Sequence, residues 1–145
     1  MSRILVATDG SDRANRAIDY AARRAKREGG DLVIVNVIGG YGLPDKVVRA
    51  FTRAESVWLE EQLAALSAEI LTEARDRARK IGVRAIRLES RTGDVAQTII
   101  TIAKGVRADA VVVGKRGAGR VTGLLLGSVS QKLVSLAAIP VTVVP

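Results

Sequence analysis

The chain has 145 residues, 48% of them hydrophobic and 26% charged, which fits one globular domain with a real core. It holds no cysteine and no histidine, so disulfides, thiolate ligands, imidazole bases and Ser-His-Asp or Cys-His catalysis are all excluded. The net charge is +8, with its excess in residues 71–120, which hold 12 basic and 5 acidic side chains. Such an excess attracts polyanions, but aromatic residues make up only 3% of the chain, too few for a base-stacking surface.

The N-terminus runs directly into an apolar strand, without the longer apolar region and small-residue cleavage site of a signal peptide, and no apolar run approaches the length that spans a bilayer. A cytoplasmic location without membrane contact is the expectation. Residues 3–8 read as a buried strand, stopped by Asp9-Gly10. Ser11 or Asp12 can cap a helix whose inner face carries Ala14, Ala17, Ile18, Ala21 and Ala25, and Gly29-Gly30 ends it. Residues 32–38 form a second strand, followed by a turn-rich loop from Gly39 to Pro44. A long helical pattern then places Phe51, Ala54, Trp58, Leu63, Leu66, Ile70, Ala74, Ala78 and Ile81 on one stripe, with Trp58 read as core or interface packing. Residues 83–89 read as a third, more polar strand suited to a sheet edge. Asp94 is placed to cap a short helix carrying Val95, Ile99, Ile102 and Ala103. The strand Ala110 to Val113, a glycine-rich loop over 114–127, a helix from Ser128 to about Ala137 with Val129, Leu133 and Leu136 inward, and the strand Val141 to Val144 complete the chain.

Five strands alternating with about four helices give an α/β fold: a single-domain, open, doubly wound sheet of five parallel strands with helices on both faces. Ligands of such sheets gather at the carboxyl ends of the strands. Gly114 and Gly117 can take positive φ and admit a ligand close to the backbone. Gly127-Ser128 stands where a helix begins, and its N–H groups and dipole suit an anion, with Lys115 and Arg116 adding positive charge. On residue chemistry alone, two readings stay open: a phosphate cradle, or glycines that only shape a surface loop. Asp9 likewise reads either as an acceptor for a ribose hydroxyl or as a brace for its turn.

These residues carry a resemblance to the universal stress protein family over nearly the whole chain. The opening Ile4-Leu5-Val6-Ala7-Thr8-Asp9-Gly10-Ser11, the stretch Val35-Asn36-Val37-Ile38, the turn Thr92-Gly93-Asp94-Val95-Ala96, the signature from Ala108 to Gly117 and the ending Ile139-Pro140-Val141-Thr142-Val143-Val144 all resemble family segments. The ATP-binding branch carries glycine, two residues, glycine, nine residues, then glycine and Ser or Thr. Gly114, Gly117 and Gly127-Ser128 reproduce that spacing, with Ala118 to Leu126 as the nine.

The resemblance implies one nucleotide-binding domain over residues 1–145, acting as a nucleotide-dependent stress-response or regulatory protein. It assigns Asp9 to the ribose, Ala7 to a neighbouring contact, Val37 to the adenine through its backbone, and Val113 to the base or ribose. Gly114, Gly117, Gly127, Ser128, Val129 and Ser130 fall on the phosphate positions. The implied ligand is ATP with Mg²⁺ held by its phosphates; AMP, a cyclic nucleotide or another adenine nucleotide are alternatives. It also implies a homodimer through strand 141–144. No catalytic residue is assigned. Two other readings stay open: a slow ATPase or phosphotransferase, and a nucleic-acid-associated protein using the basic excess. The chain departs from the commonest family pattern at Asn36, where histidine is frequent, and at Lys115, where Ser or Thr is frequent.

Overall fold

Hydrogen bonding at the element ends explains much of the architecture. The computed structural model describes residues 2–39, 45–115 and 127–145. Along the chain run β1 (Arg3–Ala7), α1 (Asp12–Glu28), β2 (Asp31–Ile38), α2 (Asp45–Arg49), α3 (Arg53–Ile81), β3 (Ile86–Thr92), α4 (Val95–Gly105), β4 (Ala110–Gly114), α5 (Ser128–Leu136) and β5 (Val141–Val144). Ser11 caps α1 by accepting the Ala14 N–H at 3.2 Å, and Gly29 closes it in the left-handed region at φ 64°. Thr52 and Glu55 form a reciprocal capping box on α3, each side chain accepting the other's backbone N–H. The Asp94 carboxylate caps α4 through the Gln97 N–H at 3.0 Å.

The five strands form one parallel sheet in the order β3-β2-β1-β4-β5. Strand order therefore reverses between β1 and β4, the switch point where open α/β sheets bind ligands. One core layer joins α1 and α3 to the sheet through Ile4, Val6, Ile18, Leu32, Ile34 and Leu71. The other joins α4 and α5 to the opposite face through Leu5, Val33, Val35, Ile99, Val111 and Leu133. All five inner alanine and isoleucine positions expected on α1 are buried.

Several expected boundaries and faces shift. The third strand was expected at 83–89 but runs Ile86–Thr92, because the Val83 N–H closes the end of α3 on the Ala78 carbonyl and the β2 register continues to the Ile38–Thr92 pair. It does lie at an edge. The short helix Asp45–Arg49 was not expected. On α3 the buried positions are Ser67, Leu71, Ala74 and Ala78; none of the residues from 53 to 66 is buried, and Trp58 is 61% exposed. Length accounts for this: a 29-residue helix extends about 43 Å at ~1.5 Å per residue, against about 26 Å for the eight-residue β2. The helix outruns the sheet, and in the first half of the expected stripe Phe51 and Leu63 are only half-buried while Ala54 and Trp58 are exposed. On α5, Leu133 is buried and Val129 half-buried, but Leu136, expected inward, is 58% exposed at the last turn.

Candidate functional site

The residues assigned to a ligand lie at the carboxyl ends of three neighbouring strands. Ala7 ends β1, Val37 is near the end of β2, and Val113 precedes the end of β4. Ala7 pairs with Val35, and Val6 pairs with Val112, one step short of Ala7 and Val113. Strand alternation puts Ala7, Val37 and Val113 on the α4/α5 side of the sheet, where they join the same apolar cluster as Val129. Together they make an apolar floor that a flat ring can cover.

The loop after β1 is built from short side-chain bonds. The Thr8 Oγ1 accepts the Gly10 N–H at 3.0 Å, and Asp9 Oδ1 accepts the Ser11 N–H at 2.9 Å. The turn-bracing role of Asp9 is thus present in the geometry. Gly10 sits at φ 82°, and a Cβ there would come within 3.2 Å of Ile70 Cγ1 on α3, so two constraints require glycine.

At the end of β4, Gly114 is not in the left-handed region; a Cβ there would lie 3.3 Å from the Arg13 carbonyl oxygen. The expected positive φ is replaced by a different need, close passage of the first turn of α1. The Lys115 N–H donates to the Val144 carbonyl at 2.7 Å, and the Lys115 carbonyl accepts the Gly127 N–H at 2.8 Å. The Ser130 hydroxyl is shared between the Gly114 and Lys115 carbonyls at 2.9 and 3.2 Å. Ser130 therefore pins α5 to the end of β4, and what it can offer an anion is its backbone N–H. Arg116 and Gly117 lie outside the described residues.

Helix α5 begins differently from α1, α3 and α4. Each of those has a capping side chain, whereas Gly127 offers α5 none. The N–H groups of Ser128, Val129 and Ser130 precede the first intrahelical bond, from Gln131 to the Gly127 carbonyl, and Ser128 is exposed. A first turn that no described side chain caps, beside an apolar floor, suits a ligand with a ring and an anionic tail. Among the described residues, no three acidic groups gather to hold a metal ion, and no helix is long and apolar enough to cross a membrane.

A buried polar chain beneath the β1 loop was not foreseen. Asn36 Nδ2 donates to the Thr8 carbonyl at 2.8 Å, and its Oδ1 accepts the Ser67 hydroxyl at 2.7 Å. Ser67 Oγ lies 2.7 Å from Ser90 Oγ; since its one proton goes to Asn36, Ser90 is the donor. The chain joins the ends of β1 and β2 to α3 and the edge strand β3. A polar residue inside the apolar run 32–38 was the available signal, because a buried amide needs partners.

The universal stress protein family model matches residues 1–145. A universal stress protein of Thermus aquaticus is 34% identical over 149 residues, covering 97% of this chain and 96% of its own length. Among solved structures, a universal stress protein in complex with cAMP superposes with a TM-score of 0.73 at 27% identity, over 99% of this chain and 95% of that one. One from Archaeoglobus fulgidus in complex with dAMP gives 0.68 at 26% identity, over 100% and 98%. A match over the full length, on a five-stranded parallel sheet with its switch point at the loops described, settles kinship: the chain belongs to the universal stress protein family.

Proposed function

We propose that residues 1–145 form one domain that binds an adenine nucleotide at the carboxyl ends of β1, β2 and β4, and that it acts as a nucleotide-dependent stress-response or regulatory protein. The observation that carries this reading is the start of α5 at Gly127-Ser128, which no described side chain caps, set beside the floor of Ala7, Val37 and Val113. Two similar structures hold cAMP and dAMP, which supports an adenine nucleotide as the ligand class. The residues present fit such a group. The floor covers the base face, the Val37 backbone meets its edge, and Asp9 accepts from a ribose hydroxyl. The N–H groups of Ser128, Val129 and Ser130 receive phosphate oxygens, with Gly114 and Gly117 allowing close approach and Lys115 and Arg116 adding charge.

The spacing from Gly114 to Ser128 resembles that of the family's ATP-binding branch, so ATP is the proposed nucleotide, with Mg²⁺ held by its phosphates. When bound, the metal would neutralise phosphate charge. The chain's own part is to bind and orient; without imidazole or thiolate, holding the nucleotide rather than turning it over is the role proposed. Strand β5 is half-buried at the sheet edge and accepts the Lys115 N–H through Val144. Homodimerisation through 141–144 would therefore act directly on the end of the phosphate loop. Denaturing the purified protein and identifying released nucleotide by mass spectrometry distinguishes ATP from AMP or a cyclic nucleotide. Gly117→Val should abolish ATP binding in a calorimetric titration; unchanged affinity overturns the site.

A further inference from the structure

The pairing of β1 with β2 stops one rung early. The Asp31 N–H donates to the Ser2 carbonyl at 2.9 Å, and the Val35 carbonyl accepts the Thr8 N–H at 2.9 Å, so Asp31 and Val35 turn their backbone groups toward β1. Leu32 and Ile38 turn theirs toward β3, through bonds to the Ala85 carbonyl and the Gly93 N–H. In a parallel ladder this alternation is regular, so Val37 belongs with Asp31 and Val35 and points its N–H and C=O toward the β1 side. The next rung would run from the Val37 N–H to the Thr8 carbonyl. Among the described residues that rung is not made, and the paired register ends at Ala7–Val35. The Thr8 carbonyl instead accepts Asn36 Nδ2 at 2.8 Å. A carbonyl only accepts, so the amide nitrogen of Asn36 must face it, and the Ser67 hydroxyl fixes that orientation by donating to Oδ1 at 2.7 Å. Asn36 is buried, and its bond to Ser67 of α3 puts its side chain on the sheet face opposite the floor of Ala7, Val37 and Val113.

We propose that Asn36 is the positioning residue of the base site: its side-chain amide takes the Thr8 carbonyl in place of the Val37 N–H, and so leaves that N–H for the edge of an adenine ring. This role rests on the adenine-nucleotide reading above. Val37 then offers a backbone donor and a backbone acceptor side by side, just past the end of β1. Adenine carries the matching pair on its edge, a ring nitrogen that accepts beside an amino group that donates. Hypoxanthine carries the reverse, a ring N–H beside a carbonyl. A backbone pair kept out of the ladder thus selects a 6-amino purine over a 6-oxo one. Without the Asn36 amide, the Thr8 carbonyl would lack a donor in a buried place, which is costly, and the Val37 N–H is the nearest replacement in the ladder. The extra rung would close the donor to a ligand. Ser67 and Ser90 tie the amide to α3 and β3, so the arrangement is held by the fold before any nucleotide arrives.

Amide exchange followed by NMR, and calorimetric titration with ATP and its 6-oxo analogue inosine triphosphate, test this in wild type, Asn36→Val and Asn36→His. In wild type without nucleotide, the Val37 amide should exchange at least about tenfold faster than that of Val35, which lies inside the ladder, and ATP should slow it. Asn36→Val removes the donor, so the extra rung should form and the Val37 amide should slow by about tenfold with no nucleotide present. Its preference for ATP over inosine triphosphate should fall by at least about tenfold, roughly 1.4 kcal/mol. Asn36→His keeps a ring N–H for the Thr8 carbonyl and should restore both readouts. The ratio of the two affinities within one protein cancels any loss of folded material, so a merely structural Asn36 would lower both together and leave the ratio alone. A wild-type Val37 amide as protected as Val35, a wild type that binds both nucleotides equally, or an Asn36→Val protein with an unchanged Val37 amide or an unchanged ratio each overturn the proposal. So does Asn36→His behaving as Asn36→Val does. The wild-type and Asn36→His measurements decide the matter even where Asn36→Val does not fold. Wild type that binds neither nucleotide overturns the nucleotide reading and this role with it. Wild type that prefers ATP, beside an Asn36→Val protein that prefers it equally, overturns this role alone.

Discussion

Replacing Asn36 with aspartate exchanges one heavy atom and should make stability fall as pH rises. The amide nitrogen that donates to the Thr8 carbonyl at 2.8 Å becomes an oxygen, so two acceptors face each other in a buried site. Ionised, the new carboxylate is a buried charge without a cation; protonated, it can donate to Thr8 and restore the chain through Ser67 to Ser90. Its folded pKa must therefore rise above its unfolded value of about 3.9. A raised folded pKa for an acid means no penalty below the unfolded pKa. The penalty then grows by about 1.36 kcal/mol per pH unit, up to the folded value. If burial carries that value to about 7, N36D loses about 1.5 kcal/mol at pH 5 and about 4 kcal/mol at pH 7 and above. Urea unfolding followed by circular dichroism at both pH values, with wild type alongside, measures the difference. Equal stability of N36D and wild type at neutral pH would refute the buried chain.

Three further expectations rest on separate contacts. Gly30→Ala drives a Cβ into the Ser2 carbonyl, which also accepts the Asp31 N–H; a loss of about 1–3 kcal/mol should appear in a thermal melt, at about 2–4 °C per kcal/mol. Asp94 has its carboxyl held below the usual range, first by the Gln97 N–H and then by Lys132. A depressed folded pKa stabilises above the unfolded value and is lost as pH falls through the folded one, so Asp94→Asn, which keeps a cap, should flatten the acid limb of the stability profile; an unchanged limb would remove Asp94 from that account. Ser67→Ala strands Asn36 Oδ1 and should cost about 1–3 kcal/mol in urea unfolding, whereas no loss would mean that Ser90 takes over as donor.

What the sequence made legible was local. The Ser11 and Asp94 caps, the alanine face of α1, the left-handed end at Gly29 and the start of α5 at Ser128 all depend on residues within one or two turns of each other. The parallel sheet followed from the alternation of apolar runs and helical patterns, and the polar third strand did fall at an edge. The failures were questions of reach. The helix itself was expected, but its stripe was only partly right: Ala74 and Ala78 are buried, whereas Ser67 and Leu71 take the inward places and Trp58 and Leu66 lie on other sides of the helix, because several apolar residues surround it and only the packed sheet selects the face. The partners of Asn36 stand at positions 8, 67 and 90, and only the folded sheet brings them together. Gly114 was recognised as necessary for a ligand, yet its nearest crowding comes from the Arg13 carbonyl of its own chain.

The bond from Gly127 N–H to the Lys115 carbonyl has a consequence for how this family can change its sequence. The fold itself ties together the two ends of the intervening segment, with the Ser130 hydroxyl as a second clasp. With the ends held, the entropy of closure varies slowly with the length enclosed, a doubling costing only about 0.6 kcal/mol. Closure by itself thus places almost no constraint on how many residues separate these two points. A segment free to drift in length but held to a fixed count would be answering to something outside the fold. On the proposed nucleotide reading, insertions there should spare the melting temperature while erasing nucleotide affinity, and a lineage that let the count wander would be one that had changed its ligand.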